Sequence, residues 1–290
     1  MKKLSILFLL AVAAIAGCHK SSSSSSSEIT YLVSPAPATD AHNVLIEQFS
    51  GQSCSNCPNG NTIMDTIQNA HTGRVNVITY YEADGSEVTD TPMGAAYDFR
   101  SSVALMVGNS AIYGGIPDLP LAGIDRMPFG EPNLIGVAQW DSLIPLRMPL
   151  SDSVNINITG TCDTATHTGA LTATVTYTKE MATKQTLSIM IVEDSIIDNT
   201  LFPFGMDSTH YRYDNVFRYM VTAVPYGDTL LSAMAIKEPG RVSQRTYHYT
   251  IPTTSPAIKM THCHAIAFVA DNGAGGNFQV LQSVQMKLVP

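Results

Sequence analysis

From Val154 to Val289 apolar and polar residues alternate with a period of two, the pattern of strands with one buried face. Val154–Ile158, Leu171–Tyr177 and Leu187–Val192 follow it, as do Val216–Ala223, Arg245–Ile251, Ala265–Ala270 and Val280–Val289. The preceding stretch, 43–149, mixes two periods. Val44–Phe49 and Arg74–Tyr81 are short apolar strands, while Ile63, Met64, Ile67 and Ala70 recur at helical spacing between Pro58 and the stop at Gly73. Met93–Val107 and Asn133–Leu146 read as helices, and Leu121–Arg126 as a short strand after Pro120. This β-α-β-α-β-α order predicts a parallel or mixed sheet covered by helices.

About seven strands separated by turn residues predict a β-sandwich over 150–290, with immunoglobulin-like as the nearest description. The expected fold class is therefore α+β multidomain, an α/β unit over 43–149 followed by that sandwich. Ahead of both, Lys2 and Lys3 precede an apolar run from Leu4 to Ala16, the layout of a secretory signal over 1–17. The run is shorter than the ~20 residues a membrane-spanning helix needs. Seven consecutive serines, Ser21–Ser27, follow, and 18–42 is expected to be a flexible tether.

Charge narrows the partners. Without Lys2 and Lys3 the chain has fourteen basic against twenty-four acidic side chains, a net −10 with no basic block. That balance argues against nucleic acid and against tight binding to anionic lipid. No nucleophile elbow, paired carboxylates or phosphate-cradling glycine loop stands out, and no cofactor is expected. His262-Cys263-His264 resembles a metal half-site, but on a strand the histidines share one face and Cys263 takes the other.

Cysteine carries the candidate chemistry. An exported chain is expected to pair its thiols. Cys54 and Cys57 are close enough to pair locally. Cys162 and Cys263 either close a long loop as a structural disulfide or remain two buried thiols. In Cys54-Ser-Asn-Cys57-Pro58 an apolar strand runs into a turn and then a helix start, where free N–H groups and the helix dipole stabilise a thiolate.

Three resemblances attach to these residues. Ala14-Ile-Ala-Gly-Cys18 resembles a bacterial lipobox, which implies lipidation of Cys18 and a membrane anchor. Strand, Cys-x-x-Cys and a proline before a later strand resemble the thioredoxin arrangement. That likeness implies catalytic roles: Cys54 as exposed attacking thiol, Cys57 as resolving thiol, and Pro120 as a cis-proline scaffold whose preceding residue faces the disulfide and a substrate chain. Ile116-Pro117 is the second candidate for that scaffold. Gln48 stands where thioredoxins carry a buried acid and Ser53 where they carry tryptophan, and strand alternation turns Glu47 to the opposite face. These departures argue against fast reduction of many substrates.

Finally, the lipobox, the serine tract, Val44–Pro58, Pro120-Leu-Ala-Gly-Ile-Asp-Arg126 and the β-rich second half together resemble the 28-kDa outer-membrane-protein family of Gram-negative lipoproteins. Asp125 stands where asparagine is expected. The resemblance implies an outer-membrane lipoprotein, periplasmic or surface-facing, with a receptor or adhesin-like display role. The rival expectation is a thiol-disulfide oxidoreductase acting on exported proteins. The expected partners are the membrane, through Cys18, and an exported or surface protein.

Overall fold

The computed structural model describes residues 23–129, 133–151, 153–201, 209–254, 256–272 and 277–289, so the signal segment and Cys18 lie outside the described residues. In chain order the elements are β1 (Ser24–Ser25), β2 (Ile29–Leu32), β3 (Val44–Ser50), α1 (Cys57–Ala70), β4 (Val75–Tyr81), α2 (Ser102–Gly108), β5 (Leu121–Ile124), β6 (Ile135–Gly136) and α3 (Trp140–Arg147). The strands β7 (Val154–Asp163), β8 (Thr168–Tyr177), β9 (Gln185–Glu193), β10 (Ile196–Asp198), β11 (Tyr211–Tyr213) and β12 (Val216–Met220) follow. The last are β13 (Asp228–Thr229), β14 (Arg241–Thr250), β15 (Cys263–Asp271) and β16 (Val280–Lys287). The molecule is mixed α+β, rich in strand, with several sheets.

The main sheet has the order β16-β15-β9-β12-β4-β3-β5-β6, with β13 on β9. β3 and β4 are parallel neighbours and buried along their whole length, so they read as continuous apolar runs rather than alternating ones. β5 runs antiparallel to β3, which makes the sheet mixed. The second sheet has the order β1-β14-β8-β7, with β2 also on β14.

The main sheet crosses the boundary expected at 149–150. β12 lies parallel to β4 with Val216 opposite Thr79, and the Thr79 N–H donates to the Asn215 carbonyl at 2.8 Å. Strands predicted for a separate sandwich thus continue the sheet begun by the first half. Side-chain alternation explains how one sheet serves both halves. On one face Leu187, Ile189, Ile191, Ala265 and Ala267 pack against Val154, Leu171, Val175 and Tyr247 of the second sheet. Farther along, Val44, Ile46, Val75 and Val77 pack against Met64 and Ile67 of α1 and Trp140 and Ile144 of α3. The opposite face joins Leu45, Phe49, Ile78 and Tyr80 to Met190, Val192, Ile266 and Phe268, with Ala104 and Val107 of α2 over it. Each buried Val, Leu, Ile, Met or Phe side chain among these stabilises by about 1.5–3 kcal/mol relative to exposure.

Two expectations are corrected. Within the supposed tether, Ser24–Ser25 and Ile29–Leu32 pair antiparallel with β14. Ile29-Thr-Tyr-Leu-Val33 is a β-forming run hidden behind the serines, and β14 offers it a free edge. Of the helix expected over Met93–Val107, only Ser102–Gly108 forms. The Asp198 carboxylate instead accepts from Ala96 N–H at 2.9 Å and Tyr97 N–H at 2.7 Å, holding that stretch irregular against β10.

Candidate redox site and its surroundings

β3 delivers the chain to the cysteines at its C-terminal end. Cys54 lies in the turn after Gly51, its N–H donating to the Gly51 carbonyl at 3.4 Å, and Cys57 is the first residue of α1. The two are joined as a disulfide with Cα atoms 5.4 Å apart. Asn56 occupies the cap position without a side-chain hydrogen bond, and Pro58 stands in the first turn, where its missing N–H costs nothing.

Leu119-Pro120 is a cis peptide, and the Leu119 carbonyl oxygen lies 3.8 Å from Cys54 Sγ. In the oxidised pair this is a contact; a reduced Cys54 thiol would have a proton to donate there. Pro120 also packs against the helix: a Cβ on Gly60 would fall 2.8 Å from Pro120 Cγ, so only glycine admits this approach of α1. Ile116-Pro117 is not among the cis bonds of the described residues.

The disulfide is not exposed as the sequence suggested. Cys54 is 4 % and Cys57 1 % accessible. The 86–90 loop closes over the turn, with Ser53 N–H donating to the Val88 carbonyl at 3.1 Å and Ser53 Oγ to the Asp90 carbonyl at 2.8 Å. A Cβ on Gly51 would fall 2.2 Å from Val88 O, so this contact too requires glycine. A second segment is tied to the same turn, since Leu201 N–H donates to the Gln52 carbonyl at 3.1 Å.

Gln48 is buried, and its Nε2 donates to Asn61 Oδ1 at 2.6 Å, while its Oε1 has no donor. No carboxylate occupies that strand position. Glu47 does face the other way. It is buried with Arg126, whose Nε and Nη2 reach its two oxygens at 2.6 and 2.9 Å, and it also accepts from Tyr113 at 2.7 Å and Tyr80 at 3.1 Å. Burial pushes its carboxyl up, but Arg126 and the hydroxyls more than offset this and hold it below the usual value.

These contacts give Ile124-Asp-Arg126 its meaning. Asp125 and Arg126 both adopt left-handed backbone conformations, rare for residues with a Cβ. Asp125 accepts from Leu45 N–H at 2.8 Å and pairs with Arg147 at 2.8 Å and His42 at 2.7 Å. The asparagine expected here would suit the turn; aspartate adds a charge that Arg147 answers. Arg126 also lies over the Phe268 ring, 4.8 Å from its centre, tying β5 to β15. Sequence reading singled out this segment without finding its partners. The signal available was the mismatch of charged residues ending an apolar strand.

Cys162 and Cys263 are free thiols, which corrects the structural disulfide. Cys263 lies in the core between the sheets and Cys162 packs against it from β7. Burial pushes both thiols up, which keeps them protonated and poor nucleophiles.

Comparison with known proteins fixes the family. The family described as outer membrane protein Omp28 matches residues 113–289, a span that takes in Pro120–Arg126 and the β-rich half but begins after Cys54 and Cys57. HBP35 of Porphyromonas gingivalis superimposes with a TM-score of 0.65 at 15% identity, over 87% of this chain and 77% of that one. Protein AGR_C_4864 of Agrobacterium tumefaciens gives a TM-score of 0.52 at 12% identity, over 87% and 96%. At these identities the likeness is one of fold. A domain of the outer membrane lipoprotein Omp28 from Porphyromonas gingivalis aligns at 17% identity over 48% of this chain and 90% of that one, with a TM-score of 0.32. No curated protein matches the chain. No helix among the described residues is long and apolar enough to cross a membrane. With more than half its length matched, the chain belongs to the Omp28 family of outer membrane proteins.

Proposed function

We propose that the protein is held to the outer membrane through a lipid on Cys18 and acts by binding, its thioredoxin-like first half sharing one sheet with an immunoglobulin-like second half. The observation that carries this reading is the closure of the disulfide: both cysteines are almost wholly buried beneath the 86–90 loop. Thiol-disulfide exchange needs in-line access to a sulfur. A buried disulfide, with Gln48 rather than a carboxylate at the strand position six residues before it, acts instead as a clasp between strand, helix and loop. The oxidoreductase reading has one observation in its favour, the Leu119 carbonyl against Cys54 Sγ, where a substrate backbone would otherwise pair.

The test is trapping in cells. Cys57→Ser leaves Cys54 unable to resolve a mixed disulfide, so an exchanging enzyme accumulates covalent partners on a non-reducing gel. The binding reading expects none, and no insulin reduction by the purified chain above the reductant alone. Several trapped exported proteins would transfer the case to the oxidoreductase. The anchor is checked separately: mass spectrometry should find acyl chains on Cys18, and Cys18→Ser should release the protein from membranes.

A further inference from the structure

Where the two halves meet, the outer side of α1 faces an open groove of about 730 Å³. Thr62, Asp65 and Gln68 form one wall, and Asp194, Arg212, Asp214, His264 and Lys287 stand opposite. Below it lies a recess of about 10 Å³, room for one water-sized group. Asp65, Arg212, Asp214 and Asn215 line both, so the recess adjoins the groove, and Gln48, Asn61, Met64 and Thr79 complete its walls.

Two acceptors on this recess have no donor. Gln48 is 1 % accessible and its Oε1 is unpartnered, because its amide nitrogen is committed to Asn61. No hydrogen bond or ion pair among the described residues closes on the Asp65 carboxylate. Of the cations on the groove, Arg212 Nε lies 2.6 Å from Asp214 Oδ2 and His264 Nδ1 lies 3.2 Å from Asp194 Oδ2, while Lys287 is exposed on the groove and does not line the recess. Burial first, and then the charges of Asp214 and Asp194 against the opposing Arg212, push the Asp65 carboxyl up to about 6. A half-buried acid among two others, over an orphaned amide oxygen, is short of one compact positive donor.

We propose that the groove binds a lysine side chain of a partner polypeptide, with its ammonium seated in the recess between Asp65 and Gln48 Oε1. An ammonium is close to water in size and carries three donors, enough for both acceptors. A guanidinium is planar and larger than the recess, so arginine is excluded from it. The groove above has room for the residues flanking the lysine. This names a ligand class for the binding reading, and it stands whether or not Cys54 ever exchanges.

The experiment is fluorescence polarisation with the full mature chain in detergent and three dye-labelled acetylated pentapeptides that differ only at the centre: lysine, norleucine or arginine. At pH 8 the lysine peptide should bind at least about tenfold tighter than either other, the scale of one charge-assisted hydrogen bond. Acidification to pH 5 protonates Asp65 and should weaken it about tenfold. His264 faces the same groove, and His264→Gln should retain this pH dependence. Asp65→Asn should weaken lysine binding about tenfold at pH 8. Equal binding of lysine and norleucine, no binding by any peptide, arginine matching lysine, or affinity unchanged in Asp65→Asn each overturns the proposal. The peptide and pH comparisons use the unaltered chain, so they stand even if a variant fails to fold.

Discussion

Glu47 and Glu82 occupy neighbouring parallel strands, one inside β3 and the other just past β4, and both are nearly sealed from solvent at 1 % and 6 % accessible. Their surroundings are opposite. Glu47 meets the Arg126 guanidinium and two tyrosine hydroxyls. Glu82 lies against Gly108, and among the described residues no cation pairs with it and its Oε1 is without a partner. A Cβ on Gly108 would fall on that oxygen, so the glycine makes room for the carboxylate without stabilising it. Burial first, and then Asp84, push the Glu82 carboxyl up to about 7. The same residue type on one sheet is thus a stabilising ion in one place and a destabilising one in the other.

The largest test removes the difference from the Glu47 side. Arg126→Met strands a buried carboxylate, and chemical denaturation at pH 7 should find the chain about 3–5 kcal/mol less stable. A loss under about 1 kcal/mol would mean that the tyrosines alone hold the charge. The next test works on Glu82. Its folded value lies above its unfolded one, so between about pH 4.5 and 7 the folded state binds more protons and stability falls as pH rises. Glu82→Gln should therefore stabilise by up to about 3 kcal/mol at pH 8 and by almost nothing at pH 4. Glu47 has the reverse sign: its contribution is present above its unfolded value and is lost as pH falls through the depressed folded one. A gain in Glu82→Gln that persists at pH 4 would show that packing, not charge, separates the two sites.

The smallest effect is expected at Asp65. Its carboxyl is raised to about 6 but half open to water, so in chemical denaturation Asp65→Asn should be more stable at pH 8 by less than about 1 kcal/mol, and unchanged near pH 3.5. A destabilised Asp65→Asn at pH 8 would mean that the carboxylate already has a stabilising partner.

What the sequence made legible follows the range of the interactions. Period-two runs such as Leu187–Val192 and Ala265–Ala270 became strands because alternation is a local property. The helix start at Cys57-Pro58 was legible for the same reason. The partner of Glu47 lies 79 residues away in sequence, and that of Ala96 and Tyr97 lies about a hundred away at Asp198. Local spacing cannot announce either. The predicted boundary at 149–150 failed to separate two sheets because β12 finds its edge on β4, a choice made by packing on both faces. The disulfide was legible as a bond, but its cover, the 86–90 loop, was not, since Val88 has no motif that points to Gly51.

The capture of β1 and β2 changes the geometry at the membrane. A free leash from Cys18 to Asn43 would let the molecule wander and tumble above the lipid. With Ser24 already paired into the second sheet, only five residues, six chain steps, separate it from Cys18. At about 3.3–3.6 Å per residue their full extension is about 20 Å. On the lipid anchor proposed at Cys18, that distance is the greatest clearance available to the β1 edge. Such an anchor would set a height and restrict tilt, so which faces of the molecule could meet another cell component would be decided partly by a serine tract that was expected to be only a flexible tether.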